Sequence, residues 1–171
     1  FRTQNESRTA VLLFARGFER DEKTYGFGLG VDRPAHDAML CHAAETAGRA
    51  CASVDGADFL VAHDGDVPVT PFETARFEQR GESFEVRFRH AFAECFSRGY
   101  DRVVAIGGDH PDLDRREIER ALERASDREV VVGPAEDGGF YLLSLTPSQL
   151  DLLDDLPWHS TRESDELARR V

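Results

Sequence analysis

Lysine is almost missing from this chain. Lys23 is the only one, so arginine supplies nearly all of the 21 cations, set against 33 acidic residues for a net charge of −12. With a sequence pI near 4.9, the protein lacks the basic face that nucleic-acid phosphates or an anionic membrane surface would need. Cysteine is scarce as well. Cys41, Cys51 and Cys95 are odd in number and contain no CxxC pair, which argues against a disulfide framework or a cysteine zinc site. All three lie in or beside apolar helical patterns and are expected to be small buried hydrophobes in a reducing, cytoplasmic setting. No apolar run approaches the roughly 20 residues that span a bilayer, and the polar opening does not read as a signal peptide. The phosphate-loop pattern GxxxxGK[ST], the dinucleotide fingerprint GxGxxG and the GxSxG elbow are all absent. The segment Gly26-Phe27-Gly28-Leu29-Gly30 is glycine-rich but has the wrong spacing. The six histidines show no metal-ligand pairing, and His42 reads as a core-edge residue.

What is present is an ordinary globular composition. The chain has 171 residues, 40% of them hydrophobic, which suits a single domain over 1–171 with one proper core. Strand and helix signals alternate, the pattern of an α/β fold with a mostly parallel sheet. The run Thr9 to Phe14 reads as a buried parallel strand, followed by a long loop from Ala15 to Gly30. Ala35 to Arg49 has helical spacing, with Ala35, Ala38, Met39, His42, Ala43 and Ala47 on its expected inner face. Asp58 to His63 is a second buried strand and Ala75 to Gln79 a short third. Ser83 to Arg98 is a helix with a stripe of Phe84, Phe88, Ala91, Phe92, Cys95 and Phe96, stopped at Gly99. Arg102 to Ile106 is a strand. Asp114 and Glu117 form a capping box for a helix buried through Ile118, Ala121, Leu122 and Ala125. Glu129 to Gly133 and Phe140 to Leu145 are two more strands. Ser148 to Leu153 is a short helix, and the tail holds Trp158, read as packing, and a charged last turn.

Ligands of such sheets bind outside the carboxyl ends of the strands, where two acidic loops fall. In Gly107-Gly108-Asp109-His110-Pro111-Asp112, the glycines let backbone approach a ligand, and Asp109 suits a hard divalent cation shared with diphosphate oxygens. Equally, Asp109 could cap a turn, and Asp112 is better read as a helix cap. In Glu136-Asp137-Gly138-Gly139, the carboxylates could bind metal, accept sugar hydroxyls or act as a base. An Asp-Gly hairpin turn explains the same residues at least as well. A third stretch, Arg16 to Lys23, offers Arg16, Arg20 and Lys23 to a diphosphate, or is simply a solvated charged loop.

The blocks Val103-Val104-Ala105-Ile106-Gly107-Gly108-Asp109-His110-Pro111-Asp112-Leu113 and Val130 to Leu143, with Gly133-Pro134-Ala135-Glu136-Asp137-Gly138-Gly139-Phe140-Tyr141-Leu142 at its centre, resemble the radical-SAM/selenodomain-associated transferases. Gln79-Arg80-Gly81 and Trp158-His159-Ser160 resemble further elements of that family. The resemblance implies a three-layer α/β/α sandwich of the nucleotide-diphospho-sugar transferase type, also called glycosyltransferase-A. It implies Mg²⁺ or Mn²⁺ at Asp109. It places Asp137, with Glu136 as a weaker candidate, and Gly138 and Gly139 at the acceptor or second metal position. Arg16, Lys23, Thr24, Arg80, Gly107 and Gly108 would then face a nucleotide or nucleotide sugar. The first loop departs from the family pattern. Phe18 replaces a proline, Asp21 a glycine, and Tyr25 an arginine that would serve phosphates bidentately. Three readings remain: glycosyl transfer from a nucleotide-diphosphate sugar, nucleotidyl transfer of the molybdenum-cofactor or phospholactate guanylyltransferase type, and a non-catalytic binding domain.

Overall fold

The computed structural model describes residues 7–25 and 32–171, with 22–25 in backbone only. The strands are β1 (Thr9–Arg16), β2 (Ala57–Asp64), β3 (Ala75–Glu78), β4 (Arg102–Gly107), β5 (Val132–Pro134) and β6 (Phe140–Leu145). They form one sheet in the order β3-β2-β1-β4-β6-β5. β3, β2, β1 and β4 run parallel, while β6 is antiparallel to both β4 and β5. The helices are α1 (Phe18–Tyr25), α2 (Arg33–Ala52), α3 (Phe84–Ser97), α4 (Arg115–Arg124) and α5 (Glu163–Arg170), with a 3₁₀ segment at Pro147–Leu153.

Alternate residues of each strand bury on opposite faces, which builds two cores. Val11 and Leu13 of β1, Phe59 and Val61 of β2, and Val104 and Ile106 of β4 pack beneath α2 and α4. Ala10, Leu12, Leu60, Ala62, Val103 and Ala105 pack against α3, the 3₁₀ segment and α5. The result is the expected three-layer α/β/α sandwich. The inner parallel strands β1, β2 and β4, buried on both faces, carry the continuous apolar runs that parallel sheets require.

Several local expectations are met with their physical cause visible. Ser83 caps α3 by accepting the Val86 N–H at 3.2 Å, and Gly99 takes the left-handed conformation (φ 91°) that ends it. Asp114 and Glu117 form the reciprocal capping box of α4. Other expectations are corrected. The stretch from Ala15 is no long loop: β1 continues to Arg16, and α1 starts at Phe18. That helix has no apolar stripe to betray it. It is started by the Gly17 carbonyl, which accepts the Asp21 N–H at 3.1 Å, and by Glu19 and Asp21 in its first turn, where the helix dipole favours acids. Gly26, Gly28 and Gly30 lie outside the described residues.

α2 begins earlier, capped by Asp32 with a proline in its first turn. Its inner face is rotated to His36, Leu40, Ala43, Ala44, Ala47 and Ala50, leaving Ala35, Ala38 and His42 exposed. The fifth strand starts at Val132 rather than Glu129, because Ser126 and Glu129 close a small turn of their own. The charged tail is the helix α5. Of the cysteines, only Cys95 is fully buried; Cys51 is half-buried and Cys41 faces solvent. Burial pushes the Cys51 and Cys95 thiols up to about 12, which keeps both in the unreactive thiol form.

One side chain ties the carboxyl ends of three strands together. Gln79, just past β3, is buried, and its Nε2 donates to the carbonyls of Ala15 (2.9 Å) and Ala62 (3.0 Å). Its Oε1 has no partner among the described residues. Substituting Gln79→Leu is expected to cost about 1–3 kcal/mol by leaving buried carbonyls unpaired. Gln79→Glu should cost more at neutral pH, because it adds an unpaired buried charge. Urea unfolding of the two variants measures both.

Candidate active site

The chain crosses from the β1–β2–β3 side of the sheet to β4 on the other side of β1. The loops that follow these two central strands therefore diverge and leave a cleft over their carboxyl ends. The cleft has a volume of about 490 Å³ and is bounded by Phe14 to Arg16 of β1, Ala105 to Asp109 of β4, and the first half of α2. α3, β6 and the segment at Trp158–His159 close its far side.

Its polar end is an ionic network. Arg16 Nε lies 3.3 Å from Asp64 Oδ2 and 3.8 Å from Asp21 Oδ1. Asp21 Oδ2 is 2.9 Å from His36 Nε2, and His36 Nδ1 is 3.3 Å from Asp37 Oδ1. Arg16 thus lines the cleft as the sequence suggested, but with two carboxylates already beside it. The unusual Asp21 has a structural partner in His36, a residue that the mis-phased reading of α2 passed over. Lys23 and Thr24 fall on α1, with side chains outside the described residues. Arg80 is exposed beyond β3 and is not among the lining residues.

At the end of β4, Asp109 is exposed on the lip of the cleft. The glycines before it have different jobs. A Cβ on Gly107 would come within 3.1 Å of the Asp109 carboxylate. A Cβ on Gly108 would overlap the end of Leu40, so Gly108 lets α2 close down on the strand end. No group of three His, Cys, Asp or Glu side chains that could hold a metal comes together among the described residues. Asp109 by itself suits a cation that brings further oxygens with it, such as those of a diphosphate, which is how Mg²⁺ is commonly held.

The Glu136–Gly139 loop is a tight turn of the hairpin kind. Gly139 accepts from the Ala135 N–H at 2.9 Å through its carbonyl, and Asp137 Oδ1 accepts the Gly139 N–H at 3.0 Å. Gly138 has φ 90°. Its carbonyl accepts both the backbone N–H and the hydroxyl of Ser164, each at 3.0 Å, so the turn is latched to the start of α5. A Cβ on Gly138 would overlap the Thr161 carbonyl. Glu136 and Asp137 are exposed and do not line the cleft; Glu163, the first residue of α5, does. Burial holds the Glu163 carboxyl above its usual range and the charge of Asp137 pushes the same way, opposed by the N–H groups of His159 and Ser160 and by the His159 charge. His159, in the left-handed region at φ 58°, gives its N–H to Glu163 Oε1. An acidic residue opening a late helix was the only trace of this in the sequence.

The rest of the far side is aromatic. Phe84 stacks on Phe88 (5.5 Å between centroids), and Trp158 contacts Phe84, Phe88 and Phe140 at 5.3–6.0 Å. The Trp158 indole N–H is buried with no partner among the described residues, so shape alone holds the ring. On the other face of β6, His110 lies flat on Tyr141 at 4.0 Å, and the Tyr141 hydroxyl donates to Glu117 Oε1 at 2.9 Å.

Comparison with known proteins fits this geometry. A family profile described as "Uncharacterized protein conserved in bacteria (DUF2064)" matches residues 31–160. The chain belongs to that family. Its fold is that of a Desulfovibrio desulfuricans G20 protein provisionally described as a nucleotide-diphospho-sugar transferase (TM-score 0.74, 25% identity, over 96% of this chain and 75% of that one). Rv0371c of Mycobacterium tuberculosis H37Rv shares the fold at TM-score 0.58 and 15% identity, over 97% of this chain and 84% of its own, and a structure of it in complex with manganese is also similar. So does a 4-diphosphocytidyl-2C-methyl-D-erythritol synthase, at TM-score 0.55 and 10% identity, over 96% and 86%. None of the curated proteins matches the chain in sequence.

Two outcomes follow for the turn wall. Gly138→Ala is expected to destabilise the protein by more than the ordinary 1 kcal/mol of a glycine substitution, since it combines a positive φ with a backbone overlap. Thermal unfolding checks this. Glu163, with its folded-state value raised, disfavours the folded state once it ionises, so its penalty is absent at low pH and appears as the pH rises past the ordinary 4.5. The melting temperature of Glu163→Gln relative to the parent should therefore climb from pH 4 to pH 8. A flat difference would show that the carboxyl is not held up.

Proposed function

We propose that the cleft binds the diphosphate of a nucleotide substrate together with a divalent cation on Asp109 and transfers a glycosyl group from a nucleotide-diphosphate sugar. We also place the chain among the radical-SAM/selenodomain-associated transferases, on the strength of its two motif blocks. The carrying observation is the position of Asp109 on the lip of a cleft at the crossover between β1 and β4. The charge balance supports a cation. Among the described lining residues, Arg16 faces Asp21, Asp109 and Glu163, and Arg16 is already paired. A diphosphate entering this cleft needs positive charge that these side chains do not supply.

Asp109 would hold Mg²⁺ or Mn²⁺, which when bound neutralises charge on the departing diphosphate. Arg16 orients the phosphates from the β1 end, with Lys23, Thr24 and Arg80 as the motif's further candidates. Gly107 keeps the floor low enough for the phosphates to approach, while Gly108 lets Leu40 of α2 close on the strand end beside it. On the opposite wall an acceptor hydroxyl oxygen bonds to the anomeric carbon as the bond from that carbon to the diphosphate oxygen breaks. The electron pair leaves with the nucleoside diphosphate, and the hydroxyl proton passes to a carboxylate of that wall. The motif's candidates are Asp137 and Glu136, with Gly138 and Gly139 shaping the turn, but both carboxylates are exposed outside the cleft lining. Nucleotidyl transfer would use the same groups with pyrophosphate as the product.

A thermal-unfolding screen with uridine, guanosine, cytidine and adenosine di- and triphosphates, with and without Mn²⁺ or Mg²⁺, tests this. One nucleotide should raise stability only with metal, by about 2.7 kcal/mol at a hundredfold excess over its dissociation constant, and the rise should vanish in Asp109→Asn. Released nucleoside diphosphate marks glycosyl transfer, and released pyrophosphate marks nucleotidyl transfer. If no nucleotide shifts the midpoint, the non-catalytic reading stands.

A further inference from the structure

The two ends of the cleft differ in chemistry, and the difference limits what can enter the far one. The near end, over β1, holds the ionic network of Arg16, Asp21 and His36. The far end is a wall of Phe84, Phe88, Phe140 and Trp158, interrupted by one carboxylate, Glu163. We propose that this far end is the acceptor subsite, that it takes a ring compound bearing hydroxyls rather than a phosphorylated one, and that Glu163 is the carboxylate that receives the reacting hydroxyl. The inference rests on the transferase reading given above and assigns the acceptor's chemical class and its contact residue.

The geometry carries each part. Aromatic faces match the C–H face of a saturated or aromatic ring, and four such rings from three separate segments converge on this wall. A phosphorylated acceptor would meet Asp109 on the lip and Glu163 in the wall, with Asp137 close enough to Glu163 to act on its charge. The only arginine among the described lining residues, Arg16, is held at the other end by Asp21 and Asp64. A hydroxyl suits Glu163 well. One oxygen is fixed by the His159 N–H, while Oε2 lies over Gly139, within 3.4 Å of where a Cβ there would be. Glu136 and Asp137 are exposed outside the lining, so the turn motif positions Glu163 instead of touching the acceptor. A partly buried carboxylate is also a stronger base for a hydroxyl proton than an exposed one.

Trp158 is the only tryptophan of the chain, so its fluorescence reports occupancy of this wall directly. The test titrates the protein at pH 8 with phenyl β-glucoside and with glucose 6-phosphate. It is run on the parent, Glu163→Gln and Phe140→Leu. Phenyl β-glucoside should give a saturable change and the phosphorylated probe none. Glu163→Gln should weaken it about tenfold, the difference between a charged and a neutral hydrogen-bond acceptor. Phe140→Leu should weaken it through the wall alone. Tighter binding of the phosphorylated probe, or an unchanged titration in Glu163→Gln, overturns the proposal. The metal-dependent nucleotide shift, measured on the same variants, stays intact in Glu163→Gln if the two subsites are separate. Its absence in the parent would instead sink the transferase reading, while the fluorescence titration still decides the chemistry of this wall.

Discussion

Everything in this fold follows from β1 pairing in parallel with a neighbour on each side. A parallel neighbour cannot be reached by a tight turn, so each pairing requires a crossover with a helix. One crossover lays α2 on one face, and the later one lays α3 on the other. The loops leaving β1 and β4 must therefore turn away from each other. The space between them is the cleft that Asp109 and Arg16 both line, though more than half the chain separates them. Gln79 then ties the ends of β1 and β2 to β3 from within, so the floor of the cleft is fixed by hydrogen bonds rather than by side-chain packing alone.

Much of this was readable from residue order. The apolar runs of β1, β2 and β4 are so continuous that only strands buried on both faces explain them, and the capping residues of α3 and α4 announced themselves. The turn at Asp137–Gly138 was legible as a turn, and Asp109 as a carboxylate at a strand end. What escaped lacked a periodic signal. α1 carries one apolar residue, Phe18, before its closing Tyr25, so no stripe marked it as a helix. α2 is rich in alanine on several sides, so its inner face could be phased two ways. Only the contact of Leu40 with Gly108 and of His36 with Asp21 decides between them. Glu163 escaped because its importance comes from a contact with a turn many residues earlier, which no local pattern encodes.

The motif residues also changed meaning once they were placed in space. Two glycines after a strand suggest room for a ligand, yet Gly108 is small because a leucine of the neighbouring helix occupies its place. Gly138 is small because the backbone at Thr161 does. Asp21, which looks like an intruder in a phosphate loop, is the partner of a buried histidine. The motif positions of this chain thus divide into those that face the cleft and those that hold its walls together, and their residue types alone do not separate the two.

The latch between Gly138 and Ser164 has a bearing on how the protein is made. All six described strands are complete once Leu145 has been synthesised. The turn that carries Asp137, however, has nothing to dock on until the residues after Trp158 have left the ribosome. The same late residues supply Leu167, fully buried in the core against α3. The last part of the cleft wall and one face of the sheet are therefore completed together, by a segment that contributes no strand.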